Sequence, residues 1–417
     1  MATPAPPRPA PAPVSGPAPR PAPGPASGPR PSAAGPRDPA DISYLRSFVE
    51  EVLRPIQRSW FRVRLLGAER IPSHGPLIVA SNHSGNAFPY DGMVLAAALW
   101  ERDGYDPGRL FRTVYEPELS YVWWMRPFGL DDFWRHGGGV DMTFDNFGQL
   151  LARHDRVLYF PEGVPGIGKG FSRRYQLQPF HTSFVLHAAR SGAPVVPVYA
   201  INAEWVHPFG YTLPPLDWVM QRVFHVPFLP LPLGLLAIVF PWIWYLAFPA
   251  RMIFVVGGSI PMAALLREEA PADGAEPDRA AARRVAARVR RTMQAELDGL
   301  VARFGGRPYD VRSLWRRLRT EPAPWWRTVP VGWPVSFLRH DRDRRRRPAR
   351  NRLHALLRDW DLAAFYLPFG WPLLSLARAF RRPPCGYRGV PRPERRRRQG
   401  AFLWRLCEAP LPERAEE

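Results

Sequence analysis

Two strand-like runs that each end in a polar loop constrain the fold of this chain more than any other feature. The first run, Leu77 to Ala80, leads through His83 into a loop that reaches Asp91. The second run, Val157 to Phe160, opens later in the chain into a turn that contains Glu162. Polar residues just beyond apolar strands are typical of α/β folds, whose sites lie at the carboxyl ends of parallel strands.

Strand-like and helix-like segments alternate between residues 38 and 306. Predicted helices cover residues 42–60, 91–101, 147–153, 182–190 and 278–304, and predicted strands cover residues 61–66, 77–80, 156–160, 195–199 and 252–256. Such alternation favours βαβ units over hairpins. The sequence therefore predicts an α/β fold with a largely parallel sheet flanked by helices.

Composition divides the chain into three parts. Residues 1–37 are almost entirely Pro, Ala, Gly, Ser and Arg, so they cannot bury a core, and we predict a disordered tail without the apolar region of a signal peptide. Residues 38–306 have a globular pattern, and residues 307–417 form a basic, partly apolar C-terminal extension. The two cysteines give neither a disulfide framework nor metal-ligand spacing, which favours a reduced, intracellular setting.

The charge of the chain indicates an anionic partner. Lys and Arg number 57 against 37 Asp and Glu, for a net charge of +20, and Lys169 is the single lysine. A membrane surface and a nucleic acid both fit this excess. Basic blocks at 344–347 and 395–398 flank an uncharged stretch at 362–377, which a nucleic-acid-binding protein does not need. Membrane lipid is therefore the expected partner, and nucleic acid is disfavoured.

The run from Val226 to Ala250 carries no formal charge and is long enough to span a bilayer. It also contains five prolines, each of which removes a backbone donor from a helix. We expect a broken hairpin or an interfacial loop that dips into lipid. A full span and a buried core segment remain the alternatives.

His83 and Asp91 have the chemistry of a general base and its orienting partner. A carboxylate that binds one ring nitrogen of histidine fixes the tautomer in which the other nitrogen accepts a proton. A lone histidine that bonds loop backbone is the structural alternative. The sequence has no Gly-x-Ser-x-Gly motif, so a serine hydrolase is disfavoured.

A glycine-rich segment follows Glu162, from Gly163 to Gly170. It is close to a phosphate-binding P-loop, but Gly170 stands where that loop needs Ser or Thr to hold magnesium, so a nucleotide triphosphatase is disfavoured. Phosphate recognition in general remains plausible chemistry, since Lys169, Arg173 and Arg174 supply cations beside flexible glycines. The alternative is a glycine-rich surface turn.

Together these motifs resemble the glycerophospholipid acyltransferases, the lysophosphatidate acyltransferase family, over about residues 59–260. The matching motifs are Asn82-His83 with Asp91, Phe160-Pro161-Glu162-Gly163, and Val196-Pro197-Val198. Three departures suggest a divergent bacterial-type member. Seven residues instead of four separate the His from the Asp, residues 137–142 lack the arginine of the second motif, and Val164-Pro165 replaces the usual Thr-Arg.

The resemblance implies an O-acyltransferase that uses acyl-CoA or acyl-carrier protein and a glycerolipid or lysophospholipid acceptor, with no metal and no cofactor. His83 is the implied base and Asp91 its partner, while loop amides near Gly85 or Gly163 are candidates for stabilising the oxyanion. Glu162 is expected to bind the acceptor or to order the site. The predicted substrate-binding residues are Asn82, Glu162, Gly163, Lys169, Arg173 and Arg174. We expect the protein at the cytoplasmic face of a membrane, with a non-catalytic membrane-tethering protein as the alternative.

Overall fold

The computed structural model describes residues 41–84, 88–115, 134, 137–220, 222, 229–269, 279–345 and 348–380. The predicted tail at 1–37, the basic block at 395–398 and Gly85 lie outside this part of the chain. The described strands form one seven-stranded sheet. They are β1 Arg64–Leu66, β2 Leu77–Ser81, β3 Phe111–Tyr115, β4 Val140–Asp141, β5 Arg156–Tyr159, β6 Val195–Ile201 and β7 Ile253–Val256.

The sheet is largely parallel, which confirms the predicted α/β fold. Its strand order is β1-β7-β6-β2-β5-β3-β4, and the β6–β7 pair is antiparallel while the other pairs are parallel. Strand β2 lies between β5 and β6 and runs parallel to both. The carboxyl ends of these three strands therefore meet at one edge, and residues that follow them in sequence are brought together.

Helices cover both faces of the sheet. They are α1 Ile42–Phe48, α2 Tyr90–Arg102, α3 Phe144–Ala152, α4 Val164–Gly168, α5 Ser183–Ser191, α6 Pro214–Val219, α7 Leu233–Val239, α8 Met262–Glu268, α9 Arg279–Phe304, α10 Val311–Thr320, α11 Trp325–Thr328, α12 Trp333–Arg345, α13 Arg352–Arg358 and α14 Trp371–Phe380. Helix α1 continues through π-helical turns at Val49–Leu53 and Ile56–Trp60, as expected for the predicted 42–60 helix.

An apolar layer lies between the sheet and the helices on each of its two faces. Helix α9 buries Val285, Val289, Met293 and Leu297 at helical spacing against one face, together with α3 and α5. The opposite layer contains α1 and α2. Residues beyond 306 join this second layer, because Trp333, Phe337 and Phe365 are buried in the same cluster as α1.

The described part of the apolar run 226–250 is broken, as its prolines predicted. Residues 229–250 form the short helix α7 and a 3₁₀ turn at Pro241–Tyr245, with irregular backbone around them. Among the described residues, no helix combines the length and the apolar character that a membrane span requires.

Three features differ from the sequence-based expectations. Strands β3 and β4 were not predicted, because their short runs mix charged and apolar residues. The sheet also reverses direction between β6 and β7. The glycine-rich segment, for which a surface turn was the alternative interpretation, contains the helix α4, and Gly163 precedes this helix at a φ of 58°.

Candidate active site

His83 and Asp91 meet at the carboxyl end of the central strand. Strand β2 ends at Ser81, and Asp91 lies in the first turn of α2. The Nδ1 atom of His83 is 2.8 Å from Oδ2 of Asp91. The same Oδ2 accepts hydrogen bonds from the amide of Ser84 at 2.7 Å and from its hydroxyl at 3.1 Å. The loop thus closes on one carboxylate oxygen.

The carboxyl group of Asp91 is held in its ionised form. Burial by itself raises its pKa, but the charge of His83 and hydrogen bonds from His83, Ser84 and Gly92 outweigh burial, so the pKa of Asp91 lies below its ordinary value. The hydrogen-bond network therefore assigns the proton to Nδ1 of His83. Its Nε2 is the nitrogen that is able to accept a proton, and the side chain keeps 10% exposure.

Glu162 fixes the backbone of the histidine. It follows β5, and its fully buried carboxylate accepts a hydrogen bond from the amide of His83 at 2.9 Å. Its other oxygen accepts one from the amide of Gln178 at 2.7 Å. These contacts are those of a site-ordering residue, one of the two roles that the sequence allowed. Contact with the acceptor remains a prediction.

Close packing fixes the histidine ring from the side of β5 and α4. The ring of Phe160 stacks on that of His83, with centroids 4.2 Å apart and an interplanar angle of 25°. A Cβ atom on Gly166 would come within 2.7 Å of Cβ of Glu162 and 2.9 Å of Cβ of His83. Glycine at position 166 therefore allows α4 to approach both residues.

Lys169 differs most from its sequence-based prediction. Its side chain is buried, and Nζ donates a hydrogen bond to the carbonyl of His83 at 3.1 Å. The ammonium also lies 3.4 Å from Oε1 of Glu204 and 3.7 Å from Oε2 of Glu162. Two buried carboxylates and a carbonyl thus surround the ammonium of Lys169. The sequence had predicted that this ammonium lies in a turn and contacts a phosphate of the substrate.

Glu204, which follows β6, is the acidic partner that the sequence did not indicate. It accepts a hydrogen bond from the amide of Tyr175 at 3.1 Å. Burial raises the pKa of Glu204 above its ordinary value, although the charge of Lys169 opposes this shift. The ammonium of Lys169 thus links the segments that follow the carboxyl ends of β2, β5 and β6, through its contacts with His83, Glu162 and Glu204.

Two other predicted substrate-binding residues contact backbone. The side-chain amide of Asn82 is buried and pins β2 to β6, because it donates to the carbonyl of Ala200 at 3.1 Å and accepts from the amide of the same residue at 2.7 Å. The amide of Gly163 donates to the carbonyl of Phe160 at 3.0 Å. That amide is therefore engaged in a turn, and it does not point an open donor at an oxyanion. Substrate contacts of Asn82 and Gly163 remain predictions.

Arg173 and Arg174 lie at the exposed edge of this cluster. Nε of Arg173 donates to the carbonyl of Lys169 at 2.8 Å. The guanidinium of Arg174 lies over the rings of Phe171 and Trp205, at 4.9 Å and 5.5 Å from their centroids. These two arginines, unlike Lys169, are exposed cations.

Four aromatic rings meet at the far end of the His-to-Asp loop, where Phe88 and Tyr90 pack beside Trp333 and the ring of Tyr245 lies 5.0 Å from Phe88. Phe88 and Tyr90 pack edge to face, and the ring of Trp333 lies 5.5 Å from Phe88 and 5.8 Å from Tyr90. The hydroxyl of Tyr90 donates to the carbonyl of Tyr245 at 2.8 Å. The loop therefore rests on side chains from the apolar run 226–250 and from the C-terminal extension.

Sequence reasoning missed Ser84, Glu204 and Tyr175. Ser84 adjoins the histidine, and its hydroxyl was a usable signal for a second donor to Asp91. Glu204 gave no signal in its spacing, because only the order of strands brings it beside Lys169. Tyr175 gave none because its link to the cluster is a backbone amide that binds Glu204. Among the described residues, no group of three or more His, Cys, Asp or Glu side chains is placed to hold a metal ion.

A family model described as Acyltransferase matches residues 62–201, the stretch that contains His83, Asp91 and Glu162. This stretch is a domain of the acyltransferase family. Uncharacterised proteins of Mycobacterium tuberculosis and Mycobacterium bovis are 31% identical over 218 residues, which cover 50% of this chain and 57% of each relative. The matched region thus spans little more than half the length of these relatives.

A relative from Mycobacterium leprae is 30% identical over 217 residues. Among solved structures, the chain is similar to the 1-acyl-sn-glycerophosphate (LPA) acyltransferase PlsC from Thermotoga maritima, at 17% identity and a TM-score of 0.35, over 61% of this chain and 79% of that one. The acyltransferase domain of the present chain places its histidine and aspartate as described above, at the carboxyl end of β2.

Proposed function

We propose that this acyltransferase moves a fatty acyl group from acyl-CoA or acyl-carrier protein to the hydroxyl of a glycerolipid or lysophospholipid. The observation that carries the proposal is the 2.8 Å contact between Nδ1 of His83 and the ionised carboxylate of Asp91, within a domain of this family. Such a pair fixes the tautomer in which Nε2 is able to accept the proton of an alcohol substrate.

In the proposed reaction, Nε2 of His83 takes the proton from the acceptor hydroxyl while the hydroxyl oxygen attacks the thioester carbonyl. Asp91 stabilises the imidazolium that forms. The tetrahedral intermediate then collapses, the C–S bond breaks, and the proton on His83 goes to the departing thiolate or to water. An ester and a free thiol are the products, and no covalent acyl-enzyme is needed.

Exposed cations at the edge of the site suit a phosphorylated substrate. Arg173 and Arg174 are exposed and follow Lys169, whose ammonium contacts the backbone of His83, and guanidinium groups bind phosphate oxygens in pairs. Either the head group of the acceptor or the phosphates of CoA supply such oxygens. An acceptor lipid resides in a bilayer, so the proposal places the protein at the cytoplasmic face of a membrane.

The deciding experiment incubates purified protein with labelled acyl-CoA or acyl-carrier protein and a panel of lysophospholipids, glycerolipids and simple alcohols, with mass spectrometry of the products. We expect one acceptor class to become acylated, and a His83→Ala protein to form no product above background. Vesicle tethering without any acyl transfer would instead favour the non-catalytic membrane protein.

A further inference from the structure

Two neighbouring segments expose large apolar side chains outside the acyltransferase site. Leu235 and Ile238 of helix α7 are 50% and 53% exposed, and Phe369, ahead of α14, is 63% exposed. The full set, which we call the apolar face, comprises Leu235, Leu236, Ile238, Phe369, Leu373 and Leu376. It combines the apolar run 226–250 with the C-terminal extension.

Backbone contacts hold the two segments together. The amide of Phe369 donates to the carbonyl of Val239 at 2.6 Å, and the indole of Trp371 donates to the carbonyl of Ala237 at 3.0 Å. Leu233 and Ala237 on α7 and Leu374 on α14 are buried, so each helix has an inner apolar side as well. The exposed side chains therefore belong to anchored elements.

Exposure on this scale is unusual for anchored helices. Residues Tyr366 to Phe369 are consecutive and all exposed, and a run of exposed apolar residues is rarely retained without a function. Contiguous exposed apolar surface commonly marks a protein or membrane interaction site. The face therefore calls for an occupant.

The C-terminal extension also carries exposed cations in the segment that leads to α14. Arg350 and Arg352, at the start of α13, are exposed and form no ion pair among the described residues. The acidic groups nearby are already neutralised, since Asp359 and Asp361 pair with Arg342 at 2.9 Å and 2.7 Å. Helix α13 also exposes Leu356 and Leu357. Exposed apolar side chains together with exposed arginines in the same extension match the interface of an anionic bilayer.

We propose that the apolar face, together with the exposed Arg350 and Arg352, docks this protein on the surface of an anionic phospholipid bilayer. The proposal rests on the proposed function in one respect, that the acceptor is a lipid. Docking through α7 also acts close to the chemistry, because the 3₁₀ turn after α7 carries Tyr245, which accepts the hydroxyl of Tyr90 beside Asp91. The face belongs to the layer that supports the His-to-Asp loop.

The test measures cosedimentation of the full chain with vesicles of phosphatidylcholine and phosphatidylglycerol in equal amounts, and with phosphatidylcholine alone. Two double variants, Leu235→Asp with Ile238→Asp and Leu373→Asp with Leu376→Asp, should each weaken binding by about tenfold or more, since insertion of apolar area drives it. Arg350→Gln with Arg352→Gln should weaken binding about fivefold per arginine, on anionic vesicles and at low salt.

Gly299→Asp is the matched charge control. Gly299 is on α9 in the other layer, and a side chain added there meets nothing within 4 Å. This variant should bind vesicles like the unmodified protein. Unchanged binding by both double variants would overturn the proposal, and it would mean that residues 381–417 or a second copy cover the face. The proposal would also be overturned if the unmodified protein is a dimer and the Asp double variants are monomers that still bind vesicles.

A second measurement does not depend on the variants folding. Hydrogen exchange of the unmodified protein should slow at 233–239 and 366–376 when anionic vesicles are added, and unchanged exchange there would refute docking. Both assays omit the acyl donor, and acyl transfer is measured separately on a short-chain, monomeric acceptor. Docking without transfer would refute the proposed function alone, whereas transfer without docking would refute this inference alone.

Discussion

The cluster around His83 and the apolar face invert the usual distribution of side chains in opposite ways. The cluster buries ionisable groups, and each makes contacts that fix it, as when Lys169 bridges Glu162 and Glu204. The apolar face exposes leucines of α7 and α14, although each helix already buries other apolar side chains on its inner side. Buried charges are costly unless they are paired, and exposed apolar groups are costly unless they are covered. The first arrangement fixes a geometry, whereas the second awaits a surface.

The largest effect should follow from removing the base. His83→Ala should lower kcat/KM for acyl transfer by about 10²–10⁴-fold, because general base catalysis is lost while the fold is kept. His74→Ala is the matched control, since His74 is exposed in the segment before β2. Steady-state kinetics and thermal melting of both variants check this. Near-normal turnover by the His83→Ala protein would refute the mechanism.

Replacing the orienting carboxylate should have the next largest effect. Asp91→Asn should lower kcat by about 10²-fold or more, because an amide does not fix the Nδ1–H tautomer or stabilise an imidazolium. Asp145→Asn is the matched control, since Asp145 is also an acidic residue in the first turn of a helix, α3, but is exposed. Loss of turnover in both variants would point to helix stability instead of the tautomer.

A comparison of the unmodified protein with Asp91→Asn should also show a pH dependence of stability. Because the folded-state pKa of Asp91 lies below its ordinary value, its carboxylate stabilises the fold above the unfolded pKa, and this contribution is lost as the pH falls through the folded pKa. The unmodified protein should therefore exceed Asp91→Asn in free energy of unfolding most clearly near neutral pH. The gap should narrow in acid, as measured by urea unfolding across pH. A difference in free energy of unfolding that stays constant with pH would contradict the lowered pKa of Asp91.

Lys169 distinguishes a fixed geometry from substrate contact. Lys169→Met leaves two buried carboxylates without their cation, which should cost about 3–5 kcal/mol of stability. If Lys169 positions the His83 carbonyl, kcat should fall by about tenfold while KM for phosphorylated substrates is unchanged. A raised KM with kcat intact would restore the sequence-based prediction of a phosphate contact.

Adding Glu204→Gln to Lys169→Met removes one of the stranded charges. Part of the lost stability should return in the double variant, because the two carboxylates then no longer repel. Arg173→Gln is the comparison for phosphate binding, since that guanidinium is exposed. It should raise KM for a phosphorylated substrate without lowering stability. No recovery in the double variant would argue against a buried charge network.

The sequence predicted the elements around the site because they are strongly patterned. Strands β2, β5 and β6 are buried along their length and are apolar except for Ser81 at the end of β2 and Arg156 at the start of β5. The loops after β2 and β5 carried the predicted His83 and Glu162. The burial of Lys169 was not predictable. It depends on Glu204, which lies beyond a third strand, and on α4, whose glycines are typical of a turn.

The C-terminal extension was less predictable because its arginines hide its apolar pattern. Helix α12 has arginines in its sequence and yet contributes the buried Trp333 and Phe337 to the layer under α2. Arg342 of the same helix is buried as well, because Asp359 and Asp361 pair with it. Such pairing is a tertiary property, so a count of charges indicated a basic surface where part of the core lies.

The smallest effect on turnover is expected at Trp333, in the C-terminal extension. Its ring packs against Phe88 and Tyr90, so it is a positioning residue for the loop that carries Asp91. Trp333→Leu should lower the free energy of unfolding by about 2–4 kcal/mol, since a large buried side chain is truncated, and should lower kcat only about threefold.

Trp325→Leu is the control, because Trp325 is 75% exposed and its loss should change stability by about 0.5 kcal/mol or less. Chemical denaturation and kinetics of both variants decide the point. If Trp333→Leu loses stability with kcat unchanged, the C-terminal extension stabilises the domain without shaping its site; a fall in kcat with KM unchanged shows that the loop geometry depends on it.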